Sequence, residues 1–273
     1  ITGQAYQPTP LDVEQTLGKA VSDLGERTKN AEIAFFGGSF TAIDRTYMLS
    51  LLDATKKFRD KFCGIRISTR PDYINKEILK RLKKYKVKTI ELGVQSTNDY
   101  ILARCQRGHT FEDVKKASKL IRRKHFILGH QMMVGLPEST KLDEINTTKS
   151  LIKLKPKIVR IYPVLVIKGT KLEEEYRNNE YIPLTVNQAV ERCKEIVTLF
   201  NKKNIRVIRI GLQNTNTIDE PGHNESEVVA GPYHPAFRQL VESSMWYDAI
   251  VEKIKKLNVK VKEVEVTVNP IDA

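Results

Sequence analysis

The chain has 273 residues, 40% of them hydrophobic, and carries 46 Lys plus Arg against 33 Asp plus Glu, a net charge of +13. That length suits one large α/β domain or two smaller ones with a sizeable core. No apolar run approaches a membrane span, ITGQAYQPTP at the start lacks a signal-peptide pattern, and Cys63, Cys105 and Cys193 show no paired spacing, so a cytoplasmic protein with neither a disulfide framework nor a metal knuckle is expected.

In chain order, Thr9-Pro10-Leu11-Asp12 reads as an N-cap followed by proline at the first helical position, opening a helix to about Lys29. AEIAFF (31–36) is a short apolar strand running into Gly37-Gly38, and a helix follows from about Arg45 to Lys61. The strand GIRIST (64–69) ends at Pro71, and a helix over 75–85 leads to the strand TIELGVQS (89–96). Thr110 with Asp113 caps a helix to about Lys124, before the strand ILGHQMMVG (127–135). A helix over 140–153 leads to KIVRIYPVLVI (157–167), read as one strand, and Thr170 with Glu173 opens a short helix. A helix over 186–201 precedes the strand IRVIRIG (205–211). Residues 212–231 read as a long loop, 236–257 as an amphipathic helix, and VKVKEVEVTV (259–268) as an alternating strand.

Strand and helix alternate with short connections, which implies right-handed βαβ units on a parallel sheet. Six units of this kind fit a partly closed barrel better than a doubly wound sheet, and no GxGxxG or GxxxxGK(S/T) stretch follows any strand. The expected fold is therefore α/β: a partial (β/α)6 TIM-type barrel over 1–215, with a C-terminal helix–strand extension over 216–273 packed on it.

The strands carry unexpected polarity. Ile90, Leu92 and Val94 alternate with Thr89, Glu91, Gly93 and Gln95, although interior parallel strands normally read apolar throughout. Arg66, Ser68 and Arg70 likewise share one face, Arg160 and Tyr162 share another, and Gln131 lies among apolar neighbours. If the apolar faces pack under the helices, the polar ones converge inside the barrel, where unpartnered charges would cost several kcal/mol each. Glu91 and Gln95 then line an open channel for a polar ligand, or Glu91 pairs with Arg66 or Arg70 in a structural network; the two readings are compatible. Gly37-Gly38-Ser39-Phe40 follows a strand directly, where barrel enzymes place their sites, and Arg107 offers a guanidinium suited to a carboxylate. His109, His130, His223 and His234 receive no catalytic role.

The segments FFGGSFT (35–41), STRPDYI (68–74), ELGVQS (91–96), QRGHT (106–110), HQMMVGLP (130–137), RIYPVLVIKGTKL (160–172) and AGPYHPAFRQLVES (230–243) occur in order across nearly the whole chain. With them the chain resembles a radical S-adenosylmethionine (SAM) protein, in particular the radical SAM domain of the Elongator catalytic subunit and the short bacterial proteins related to it. The resemblance implies SAM beside a 4Fe–4S cluster, an electron donor, and reductive cleavage of SAM to a 5′-deoxyadenosyl radical that abstracts hydrogen from substrate. It implies that Gly37, Gly38 and Ser39 receive the SAM amino group and that Arg107 pairs with the SAM carboxylate. Ser68, Gln95, Gln131 and Arg160 then face SAM, and Arg70, Glu91 and Tyr162 the substrate channel. Relatives often carry Glu where Ser68 stands.

The family's CxxxCxxC cluster loop is not found in these residues. It is expected ahead of Ile1 together with a first strand, so this chain alone is expected to be inactive. The stretch after the last barrel strand is too short for the acetyltransferase domain of the Elongator subunit. The functional reading is an RNA-modifying radical SAM enzyme with tRNA as partner. The alternatives are an RNA-binding or assembly module that keeps the SAM pocket without turnover, and a radical SAM enzyme acting on a small molecule or peptide. Lysines such as Lys76, Lys80, Lys83, Lys84, Lys119 and Lys124 read as a solvated coat on amphipathic helices. Basic residues gathered at the barrel mouth would favour the RNA-binding module, and scattering over the outer helices would favour small-molecule chemistry.

Overall fold

A computed structural model describes residues 7–212, 218–219, 221, 226–257, 263 and 265. Helix α1 (Pro10–Leu24) starts where its residues dictate. The Thr9 hydroxyl accepts from the Asp12 amide at 3.2 Å, the Asp12 carboxylate accepts from the Thr9 amide at 2.7 Å, and Pro10 fills the first helical position. The chain continues through β1 (Glu32–Phe35), α2 (Arg45–Ala54), β2 (Gly64–Thr69), α3 (Lys76–Lys84) and β3 (Val87–Gln95). Then come α4 (Asp99–Arg104), α5 (Phe111–Arg123), β4 (Ile127–Val134), α6 (Lys141–Leu154), β5 (Ile158–Pro163) and β6 (Val166–Ile167). It closes with α7 (Lys171–Arg177), α8 (Val186–Asn201), β7 (Arg206–Ile210), β8 (Val228–Ala230) and α9 (Phe237–Lys256).

Six strands form one parallel sheet in the order β1-β2-β3-β4-β5-β7. This is the partial (β/α)6 barrel expected. One face of each strand is apolar and covered: Ile65, Ile67, Ile90, Leu92, Val159 and Ile161 are buried in one core with Leu52 of α2, Leu79 and Leu82 of α3, Ile121 of α5, Leu151 of α6 and Phe200 of α8. Burial at this level is worth about 1.5–3 kcal/mol per large side chain, so the helix-facing side stabilises the sheet and leaves the other side free to be polar. Helix α9 closes the end of the sheet through Phe237 and Val241, in the same core. A Cβ at Gly211 would come within 3.1 Å of Phe237, so the backbone there passes close under α9.

Several elements depart from expectation. The stretch 157–167 is two strands: the chain leaves the main sheet after Pro163, and β6 pairs antiparallel with β8, which lies inside the segment read as loop. Helix α2 stops at Ala54 rather than Lys61, because the buried Thr55 hydroxyl donates to Leu52 O at 2.7 Å and the chain turns there. Helix α4 was not anticipated; Asn98 caps it by accepting from the Tyr100 amide at 3.0 Å. At Thr170 the hydroxyl accepts from the Glu173 amide, but the Glu173 carboxylate turns to Gly169 N at 2.6 Å. Of the strand expected over 259–268 only Glu263 and Glu265 are described, neither of them in a strand; its other residues and His223 lie outside the described residues. No described helix is long and apolar enough to cross a membrane.

His130 alternates with Gln131 on β4 and faces the helices, fully buried, its Nε2 2.9 Å from Ser118 Oγ. Burial pushes its imidazole down to about 3. The unfolded chain takes up this proton near pH 6.5 and the native state does not, so the stability it contributes is present above pH 6.5 and is lost as pH falls toward 3. Urea unfolding at pH 7 and pH 5 is expected to show a loss about 2 kcal/mol larger for the wild type than for His130→Gln, which has no proton to take up. Equal losses would contradict a buried neutral His130.

Candidate functional site

The polar faces meet inside the barrel. Glu91, in the middle of β3, is 1% exposed and is gripped from both sides. Arg66 of β2 donates to it through Nη1 at 2.5 Å, and Arg160 of β5 donates through Nε at 2.7 Å and Nη2 at 3.3 Å. Gln131 of β4 donates from Nε2 to Glu91 at 3.0 Å and to Ser68 Oγ at 3.1 Å. Arg66 also binds Glu32 of β1, whose other oxygen accepts from Thr89 Oγ1 at 2.9 Å. Burial alone would ease the proton off Arg66, but the hydrogen bonds to Glu91 and Glu32 outweigh it and hold the guanidinium above its usual range. Two carboxylates and two guanidiniums balance, which is what an interior of this kind requires. Gly129 makes room for the crossing: a Cβ there would lie 2.8 Å from Glu91 Cγ.

Of the two pairings anticipated for Glu91, the one with Arg66 is present. The one with Arg70 is not, because Arg70 lies past the end of β2 at the mouth. There it donates to Asp72 at 3.0 and 2.7 Å and to Gly108 O at 3.0 Å. Above the network, Arg160 lies over the Phe36 ring at 4.8 Å, and burial pushes the half-buried Tyr162 phenol up against the opposing pull of Arg160.

The mouth is built from three loops. Gln95 ends β3 with φ 68°, at a shift in the β3–β4 register. Its amide and the Arg107 guanidinium converge over Gly93, where a Cβ would sit 3.0 Å from Gln95 Nε2 and 3.9 Å from Arg107 Nη2. The loop carrying Arg107 is stitched down by Arg70 on the Gly108 carbonyl and by His109, 5% exposed, whose Nε2 lies 3.2 Å from Val94 O. A side chain at Gly108 would strike Arg70 at 2.7 Å. Burial, and then the neighbouring Arg70 charge, make Arg107 less able to hold its proton, and its buried Nε has no partner. An anion at this point would satisfy both deficits.

After β1, Gly37 (φ 97°) and Gly38 (φ 71°) take left-handed backbone that favours glycine. Their loop is anchored by Phe40 stacked on Phe35 at 4.7 Å, and by Thr41 Oγ1, which lies 2.7 Å from Thr69 Oγ1 and donates to Tyr73 O at 3.0 Å. Nothing lies within 4 Å of a Cβ built at Gly38, so the loop borders open space. A cleft of about 270 Å³ lies beside Arg107, lined chiefly by apolar groups such as Met133, Leu136, Val164 and Leu172.

The sequence-derived site residues thus fall into two groups. Ser68, Glu91, Gln131 and Arg160 form the floor, and Gln95, Arg107, Arg70 and the Gly37–Ser39 loop form the mouth. Glu32, Thr41 and Thr69 were missed. The signal for Glu32 was a carboxylate in an otherwise apolar strand. The cysteines remain apart in role: Cys193 is fully buried in α8 and Cys105 half-buried after α4, and burial pushes both thiols up. Among the described residues no group of three or more His, Cys, Asp or Glu is placed to hold a metal ion. The mouth suits a small ligand bearing a carboxylate; the cysteines present do not form a cluster-binding set.

A sequence model of the Radical SAM superfamily matches residues 3–151, and one of the Radical SAM C-terminal domain matches residues 156–247. The chain is 30% identical over 208 residues to the tRNA uridine(34) acetyltransferase of Methanocaldococcus jannaschii, covering 68% of this chain and 38% of that protein. It is 26% identical over 226 residues to Elongator complex protein 3 of Saccharomyces cerevisiae, covering 71% and 41%. The chain therefore spans about two fifths of the length of these relatives. The solved structure of the archaeal Methanocaldococcus infernus Elp3 with an N-terminal deletion superposes with a TM-score of 0.75 at 25% identity, covering 88% of this chain and 59% of that one.

Neutralising the floor tests its energetics. Glu91→Gln leaves Arg66 with Glu32 and takes from Arg160 the carboxylate it binds, and is expected to cost about 3–5 kcal/mol in urea unfolding. A loss under about 1 kcal/mol, the scale of an exposed pair, would show that the network is not buried as described.

Proposed function

This chain belongs to the radical SAM superfamily, and from that premise we propose that its lumen binds SAM for the modification of RNA, with tRNA as the substrate class. The observation that carries the reading is Arg107: a guanidinium with a buried, unpartnered Nε, set beside Gly93 near the end of β3, with an open glycine loop following β1. In this reading Arg107 pairs with the SAM carboxylate, and the backbone of Gly37, Gly38 and Ser39 takes the amino group. Gln95 borders the methionine moiety, while Gln131 and Arg160, held in place by Glu91, line the deeper lumen with Tyr162. Both oxygens of Glu91 are already occupied, so it acts as a positioning residue. Ser68 supports Gln131 by accepting from its amide. Arg70 sets the Arg107 loop through Gly108.

SAM and a 4Fe–4S cluster are the cofactors of this family; when both are bound, one electron from the cluster would break the C5′–S bond of SAM, releasing methionine and a 5′-deoxyadenosyl radical that would abstract hydrogen from substrate. The residues of this chain bind and orient SAM and exclude water from it. Since Cys63, Cys105 and Cys193 do not make a cluster site, this chain alone is expected to bind SAM without cleaving it. The tRNA assignment draws on the tRNA-named relatives. We assign the barrel to 1–215 and the C-terminal extension to 216–273.

Calorimetry with SAM tests the reading directly. Arg107→Ala is expected to weaken binding by about 1.5–3 kcal/mol, the scale of a hydrogen bond to a charged group. Decarboxylated SAM should lose a similar amount against the wild type and lose nothing further against the variant. Equal affinity of SAM for wild type and Arg107→Ala would overturn the assignment of the carboxylate to Arg107.

A further inference from the structure

We propose that the outer wall made by α3, α5 and the C-terminal end of α6 is a docking surface for the phosphate backbone of double-stranded RNA, separate from the lumen. The proposal rests on the RNA reading above and adds a second place where RNA is held.

Helical spacing puts Lys76, Lys80, Lys83 and Lys84 on the exposed side of α3, across a trough of about 680 Å³ from Arg123 and Lys124 of α5. On the other side of α5, Lys119 and Arg122 face Lys153 of α6 across a second trough of about 330 Å³, and Arg123 borders both. The two troughs are therefore one surface. With neighbouring helices 8–10 Å apart, three helices span about 20 Å, the breadth of a nucleic-acid duplex.

These cations are not neutralised by the protein. None of the nine forms an ion pair with a carboxylate among the described residues, whereas Arg45, Lys56, Lys86 and Arg104 elsewhere all do. The carboxylates of α3 and α5 are engaged elsewhere: Glu77 binds Arg45 and Arg81, Glu112 binds Lys115, and Asp113 caps α5. Two of the nine have structural work, since Lys83 donates to Lys124 O at 2.9 Å and Arg122 to Leu154 O at 3.4 Å. The other seven have no such role. The helix C-termini favour cations by a fraction of a kcal/mol each, too little to explain so many on one face.

The chemistry of the surface selects its partner. Lysines outnumber arginines seven to two, which suits contact with phosphates rather than reading of base edges. No exposed aromatic side chain lines either trough, and Phe126 is buried beneath Lys83. Single strands are held largely by stacking on such rings, so a duplex recognised through its backbone fits better. An acidic protein partner would need apolar anchors at the centre of the interface, and a membrane surface would need exposed apolar residues to insert. Of the two leucines that line the troughs, Leu79 is buried and Leu154 is only partly exposed. Because α3 and α5 run back against their strands, most of the surface lies toward the end of the barrel away from Arg107. These cations are therefore not gathered at the mouth, as an RNA-binding module without turnover would have them, nor scattered, as small-molecule chemistry alone would, but form one patch on the outer helices.

The test is fluorescence anisotropy of the full chain with a labelled 20-base-pair RNA duplex and with its single strand. The triple variant Lys80→Gln/Lys84→Gln/Arg123→Gln is compared with Lys19→Gln/Lys29→Gln/Lys57→Gln, an equal change of charge on another face. The wall variant is expected to bind the duplex at least tenfold more weakly and to reduce the slope of log K against log salt by about 2–3. The control variant should stay within twofold of wild type. Equal losses in both variants, preference for the single strand, or wall-dependent binding of anionic vesicles or polyglutamate with RNA binding unaffected would each overturn the proposal. SAM calorimetry on the wall variant separates the two readings: intact SAM binding with no wall effect on RNA refutes the wall alone, and absent SAM binding refutes the function of the lumen.

Discussion

The structure depends on one buried carboxylate. Glu91 sits in the central part of a parallel sheet, in a position that would ordinarily hold a branched aliphatic residue. Placing a charge there is tolerable only because Arg66 reaches it from the adjacent β2, Gln131 from the adjacent β4, and Arg160 from β5 beyond it. Each of those groups comes from a different strand, so the network ties β2, β3, β4 and β5 together across the inner face while the apolar outer face packs under the helices. Glu32 extends it to β1. The consequence is a floor whose two carboxylates and two guanidiniums balance and whose shape is fixed by hydrogen bonds rather than by hydrocarbon packing.

A fixed polar floor makes the mouth informative. If the lumen were only structural, its rim would be expected to close on itself as the floor does. Instead Arg107 is held in place by its neighbours, through Gly108 and His109, and left without a partner for its buried Nε. The loop after β1 runs through two glycines in left-handed backbone and borders open space. Buried polar groups in native proteins are nearly always satisfied, and exceptions point to an absent ligand or water. The rim therefore carries the functional reading, and the floor explains why the rim stays where it is.

Much of this was legible in the sequence because the period-2 pattern of each strand is local. Alternation in TIELGVQS and GIRIST placed Glu91, Arg66 and Ser68 on inner faces, and the capping pattern at Thr9 and Asp12 marked a helix start correctly. The pairing of Arg160 with Glu91 spans 69 residues, so no local pattern announces it. Glu32 escaped notice because a single carboxylate at the head of AEIAFF looks like a solvated strand end. The break of 157–167 after Pro163 arises from pairing with β8, far along the chain. Arg70 was placed in the lumen by counting alternation past the point where β2 ends at Thr69. The lysines look scattered in sequence and are gathered only when α3, α5 and α6 lie side by side.

Floor, rim and outer wall together describe a scaffold that would hold a small charged cofactor at one end and present cations along its side. The claim on which this account turns is that the cofactor's carboxylate lies on Arg107 above the Glu91 network. A crystal structure of the chain grown with SAM tests it most directly. The account predicts the SAM carboxylate within hydrogen-bonding distance of the Arg107 guanidinium and its amino group against the Gly37–Ser39 backbone, with the Arg66–Glu91–Arg160 contacts unchanged. SAM bound elsewhere, or a lumen collapsed around Glu91 with Arg107 turned to solvent, would contradict it.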